Sequence, residues 1–266
     1  MDNLLDVELS PELEKCREQI ESTVKPFIDI YPQTNDNLTF WQSKLGGLPY
    51  LPKGCEYPRD AEGNYLFLLA QINFEEVPSL EGFPEHGILQ FYVADDGTYG
   101  VDLENPTQQN GFRVVYFPAI SKTEDGLVTD FRFLPKPEEL PLFGSSCSLQ
   151  FEKKIAPVGI RGYELKGLLG EEFFAQFGAK RDQIVDEYTE TFASEGHKIG
   201  GYAYFTQDDP RPNVVVGEKY ILLLQLDSDS DADILWGDSG VGNFFISQTD
   251  LENLVFSKVL YNWDCL

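Results

Sequence analysis

Asp227, Asp229, Asp231 and Asp233 alternate along one short stretch, and Asp238 follows eleven residues after the first. Carboxylates so spaced imitate the ligand positions of a calcium-binding loop, with Ile234 at its usual apolar place. Three features argue against a strong site. Ala232 stands where the loop needs glycine for its sharp turn, Asp238 is shorter than the usual bidentate glutamate, and the preceding segment is strand-like where a helix is needed. The reading is a solvated acidic loop, with Asp227, Asp229, Asp231, Asp233 and Asp238 as a weak Ca²⁺ candidate.

Other local matches are weaker still. Gly237-Asp238-Ser239-Gly240 copies the tetrapeptide around the nucleophile of chymotrypsin-like proteases, but only His86 and His197 are available as bases, and neither has the setting that chemistry requires. A tight turn feeding a strand is the simpler account. Gly240-Val241-Gly242 opens like a dinucleotide fingerprint, yet Phe245 replaces the third glycine and a strand follows instead of a helix. Cys16, Cys55, Cys147 and Cys265 are scattered and read as free thiols. No cofactor is expected. Lys44 and Lys198 each stand beside paired glycines, where a small anion nest is conceivable. Gln71 and Gln225 end two apolar runs. Their amides either fix main chain or face a cleft together with Asn73, Asp227 and Asp238.

The elements that must position these groups follow from hydrophobic pattern. Leu66–Ala70 and Ile221–Leu224 are short continuous apolar runs, the mark of strands covered on both faces. Strands are expected at 65–72, 88–93, 112–117, 127–134, 147–153, 220–226 and 243–247. Helices are expected after the Ser10-Pro11 cap, with Leu13, Cys16, Ile20 and Val24 on one face, and over 170–177 and 180–192. The pattern also echoes itself. Lys198-Ile199-Gly200-Gly201 stands 154 residues after Lys44-Leu45-Gly46-Gly47, and Gln225 stands 154 after Gln71. A third block, 87–93, returns at 240–246. Ordered echoes at one spacing point to duplication. The expected fold is α+β: an internally duplicated, β-rich two-unit body with an N-terminal helix in each unit. Residues 1–158 would form the first unit and 159–266 the second, packed as one compact body.

The runs Ser43–Pro49, Leu69–Ile72, Gly87–Phe91, Leu223–Ser228 and Trp236–Phe245 resemble the YwqG-like family of bacterial domains of unknown function. The resemblance covers nearly the whole chain. It implies an α+β body with an internal duplication and carries no catalytic residues over. It also suggests an immunity or accessory role near contact-dependent toxin systems.

Charge bounds the function classes. The formal net charge is −25 over 266 residues, with no basic run interleaved with aromatics, so nucleic acid is not an expected partner. The opening Met1-Asp2-Asn3-Leu4-Leu5-Asp6 has no basic segment, and no stretch approaches the roughly 20 apolar residues of a membrane span. A cytoplasmic protein with no membrane partner is expected. The functional expectation is a non-enzymatic acidic protein capturing a basic protein partner, with Lys44, Gln71, Lys198, Gln225, Asp227 and Asp238 as candidate binding residues. The alternative is an enzyme or small-ligand binder using a cleft between the repeats.

Overall fold

The two continuous apolar runs become interior strands of a single sheet, each paired on both sides. The computed structural model describes residues 4–35, 37–142, 144, 146–214 and 217–266, so Met1, Asp2 and Asn3 of the leader reading lie outside the described residues. Ten strands form one sheet: β1 (Lys25–Thr34), β2 (Lys44–Leu45), β3 (Phe67–Asn73), β4 (Ile88–Val93), β5 (Phe112–Phe117), β6 (Cys147–Ala156), β7 (His197–Gly200), β8 (Tyr220–Asp227), β9 (Val241–Ser247) and β10 (Leu260–Asp264). Their spatial order is β10-β9-β8-β7-β1-β6-β2-β3-β4-β5. Every neighbouring pair is antiparallel.

The sheet curls until its two ends nearly meet, giving a barrel-like wall. Phe91 of β4 lies 4.9 Å from Phe244 of β9, and Phe112 of β5 lies 5.1 Å from Tyr261 of β10, centroid to centroid. Outside the ladder, Tyr261 N donates to Pro106 O. The main apolar core, with Ile72, Phe91, Leu224, Trp236 and Phe244, fills the space enclosed. Closure of this kind shields sheet edges that would otherwise offer unpaired main chain.

The helices are short: α1 (Pro11–Glu14), α2 (Arg17–Glu21), α3 (Glu164–Leu169), α4 (Arg181–Thr191), α5 (Arg211–Val214) and α6 (Gln248–Glu252). Segments this brief are marginal alone and gain their stability from packing. Leu13 and Ile20 from the first two helices share one cluster with Ile184 and Tyr188 of α4. The Tyr188 hydroxyl then donates to Val158 O, and the Tyr202 hydroxyl to Thr23 O.

These observations correct the expected fold. The chain is mostly β, with about 18% helix among the described residues, and is not an α+β two-unit body. No internal duplication of whole units stands out. The short N-terminal helices and α4 pack into one patch and do not each open a unit of their own. The reason lies in β1. Pro26 and Pro32 read against a central strand, yet β1 pairs with β6 over its whole length and with β7 over Phe27–Ile30. Both prolines thus fall where only one neighbour is paired, and the strand welds the sheet into one piece. The strand expected at 127–134 is also absent. Leu127 makes an isolated bridge to Pro52 and the chain then turns, with Leu134 N donating to Phe131 O. Of the helix expected over 170–177, residues 171–174 turn after Gly170 at φ 92°, and 175–177 open a short 3-10 helix, Ala175–Lys180.

Candidate functional site

The two glutamines are wholly buried, and each clamps a loop to its strand. Gln71 Nε2 donates to Phe40 O at 2.8 Å and Gln42 O at 2.7 Å. Its Oε1 accepts from Tyr50 N at 2.8 Å and Gln90 Nε2 at 2.7 Å. Gln225 Nε2 donates to Ser194 O and Gly196 O at 2.9 and 2.8 Å, while Oε1 accepts from Tyr204 N at 2.7 Å. A buried amide with this many partners is spent on its own fold.

Lys44 and Lys198 stand opposite these glutamines in the ladder. Lys44 Nζ donates to Thr39 O at 2.5 Å and Leu48 O at 3.0 Å, and Lys198 Nζ to Ser194 O at 2.5 Å. Burial pushes each lysine down to about 8, although Glu76 works against it for Lys44 and Asp29 and Asp227 do so for Lys198. Both ammonium groups point at main-chain carbonyls in the interior. The adjoining glycines serve close packing: a Cβ on Gly201, at φ 70°, would meet Phe27 Cβ at 2.8 Å.

At the end of β8 the chemistry faces outward. His197 is buried; its Nδ1 accepts from Asp227 N at 3.1 Å, and its Nε2 lies 3.1 Å from Asp229 Oδ2. This network assigns the proton to Nε2, which donates to Asp229. Asp227 accepts from Gly196 N and Ser228 N, yet burial still raises its carboxyl above the ordinary range. Burial acts on Asp229 in the same sense. There His197 and the N–H groups of Asp231 and Ala232 outweigh it and hold the carboxyl below the ordinary range. Asp229 and Ile234 exchange both main-chain hydrogen bonds, closing the aspartate loop on itself. Among the described residues no group of three or more His, Cys, Asp or Glu is placed to hold a metal.

The loop leaves an open notch of about 630 Å³. Glu195, Asp227, Asp229 and Asp233 line it with Tyr204 and Leu235, and no Lys or Arg is among the described lining residues. Asp238 is exposed on the following turn, whereas Gln71 and Gln225 have no exposed surface. These three do not converge on a cleft. Ser239 is exposed at φ 56° in the same turn, and both ring nitrogens of His197 are already engaged. Gly240 is required by contact: a Cβ there would sit 1.9 Å from Asp264 O.

A second concavity, about 750 Å³, escapes sequence reasoning because its walls come from distant segments. Tyr57 and Arg59 lie in the loop after β2, Tyr65 just before β3, Arg113 on β5 and Phe133 in the loop beyond it. No sequence signal joins them, because Arg59 and Arg113 are far apart in the chain and Arg59 is flanked by Asp60 and Glu62.

The chain belongs to the family described as Domain of unknown function (DUF1963), whose model matches residues 43–265. No curated protein matches it. Among the described residues no helix is long and apolar enough to cross a membrane.

Proposed function

We propose that this protein is a non-enzymatic binding protein whose acidic notch receives a lysine or arginine side chain from a basic protein partner. One observation carries the reading: the carboxylates of Glu195, Asp227 and Asp229 face one opening with no Lys or Arg among the described lining residues. Asp227 is the most responsive of them. Its desolvated carboxyl is held above the ordinary range, so an arriving cation gives it a compensating charge. Leu235 at the rim offers apolar surface to the aliphatic stem of a long basic side chain. The net charge of −25 adds long-range steering that speeds encounter at low salt. A toxin effector, the setting that the YwqG-like resemblance suggests, would be such a partner. The cleft alternative lacks comparable support, because its two glutamines are consumed inside the protein.

The test compares two variants of equal charge change. Glu195→Gln with Asp233→Asn alters the notch and spares the His197–Asp229 contact. Glu171→Gln with Glu172→Gln neutralises two exposed carboxylates outside the notch lining. Partners captured from the native cytoplasm are then titrated against both. The notch variant should weaken binding about tenfold, the cost of a lost charge-assisted pair, while the control changes only the salt-dependent association rate. Equal affinity for wild type and notch variant rejects the proposal.

A further inference from the structure

The second concavity joins flat apolar walls to under-compensated positive charge. Arg59 lies over the Tyr65 ring with its guanidinium carbon 3.7 Å from the centroid, and its Nη1 donates to Gly63 O. Tyr57 meets Tyr65 and Phe133 edge-on at 5.7 and 5.6 Å, which fixes the aromatic wall. Arg113 projects from β5 on the face away from the main core, opposite Tyr92 in the ladder. Its Nη2 donates to Arg59 O and Gln109 O, both at 3.2 Å, and its buried Nε has no hydrogen-bond partner among the described residues. Arg17, Arg132, Arg181 and Arg211 are all paired with carboxylates. Neither Arg59 nor Arg113 has a carboxylate within ion-pair distance among the described residues, on a protein with 45 acidic side chains.

We infer that this slot binds a small flat anion, an aromatic ring bearing a carboxylate or phosphate, with its charge on Arg59 and Arg113 and its ring against Tyr65 and Phe133. A guanidinium already laid flat on a tyrosine presents donors at its edge and a stacking face, the two features such a ligand uses. The volume is in the range of small-molecule sites, about 300–1,000 Å³. Glu56 lines the slot and opposes an anion, but it is exposed and well solvated. The wider negative field is screened beyond about 8 Å at physiological salt; the nearer carboxylates of Asp60, Glu62, Asp95 and Asp96 line the adjoining concavity on the other side of Arg59 and oppose an anion in part.

Calorimetric titration with adenosine 5′-monophosphate and with 2-naphthoate tests this, using adenosine and 2-naphthol as uncharged counterparts. At least one anion should saturate the site below about 1 mM and bind at least about tenfold more tightly than its counterpart. Binding of the nucleotide alone identifies a phosphate ligand, and of naphthoate alone a carboxylate. Arg59→Ala and Arg113→Gln should each weaken binding about tenfold, and Glu56→Gln should tighten it. Arg59 is exposed, so its variant folds even if Arg113→Gln does not. Saturation by neither anion, equal binding of the uncharged compounds, or an unchanged affinity in Arg59→Ala overturns the inference.

Discussion

Replacing Gln71 by methionine keeps the side-chain volume and removes all of its hydrogen bonds, so the cost measures the polar clamp itself. Three groups lose their partner, Phe40 O, Gln42 O and Tyr50 N, and Gln90 Nε2 loses one of two, keeping Tyr50 O. Tyr50 is buried, so its N–H bears most of its desolvation penalty, roughly 1–3 kcal/mol, and Gln90 bears a part of one. Phe40 and Gln42 are half-buried, and water can reach their carbonyls at a smaller cost. With little cavity created, the total is about 3–4 kcal/mol. In Gln225→Met two groups are orphaned, Gly196 O and Tyr204 N, both half-buried, while Ser194 O keeps the Lys198 ammonium. About 2 kcal/mol is expected there. Gln71→Glu should be worse than either, because a carboxylate oxygen would face Phe40 O and Gln42 O. Urea unfolding at neutral pH, followed by tryptophan fluorescence, reads these differences directly. A loss below about 1 kcal/mol in Gln71→Met, with an unchanged denaturant slope, refutes the claim that the amide holds the loop.

Two further outcomes can be measured. Burial places Lys44 and Lys198 at about 8 in the folded protein against an ordinary 10.5, so between about pH 8 and 10 the unfolded chain holds protons that the folded one has released. Stability should rise with pH over that window, by at most about 1.4 kcal/mol per unit for each lysine. It should fall above about pH 10, where burial keeps Tyr92 and Tyr261 protonated only while folded. Lys44→Met should show a shallower rise in urea midpoint, and identical slopes for variant and wild type would refute the assignment. For calcium, Trp236 is wholly buried against Tyr99 and directly follows the aspartate loop. Its emission should not change up to millimolar Ca²⁺, since Asp229 already accepts from Asp231 N and Ala232 N and contacts His197; a saturable change below about 1 mM overturns this.

What was legible in the sequence follows from where each signal is stored. The strands at 88–93 and 112–117 match the expected bounds, because an apolar run between turn residues specifies a strand locally. The placing of β1 was not legible: its prolines are permitted only by the partial pairing of β7, a tertiary fact. Likewise the slot joins Arg59 to Arg113 across 54 positions of chain, a proximity that no spacing rule reveals.

The echo at 154 residues marks matching hydrogen-bond positions within one sheet, and the notch arises where the matching side chains differ. Ser43 Oγ accepts from Asn73 N in the first place, and His197 Nδ1 accepts from Asp227 N in the second. Trp41, whose carbonyl accepts from Asn73 Nδ2, corresponds in position to Glu195. A neutral tryptophan, serine and asparagine thus give way to glutamate, histidine and aspartate on closely similar main-chain bonding. The histidine also reaches further than serine, and its Nε2 meets Asp229. Residues shared by the two places, Lys44 with Lys198, Gln71 with Gln225 and Tyr50 with Tyr204, hold the backbone; among the notch carboxylates, Glu195 and Asp227 have the neutral counterparts Trp41 and Asn73, whereas Asp229 stands 154 residues after Glu75. Similarity along the chain therefore locates the scaffold, and departures from it locate two carboxylates of the notch, Glu195 and Asp227.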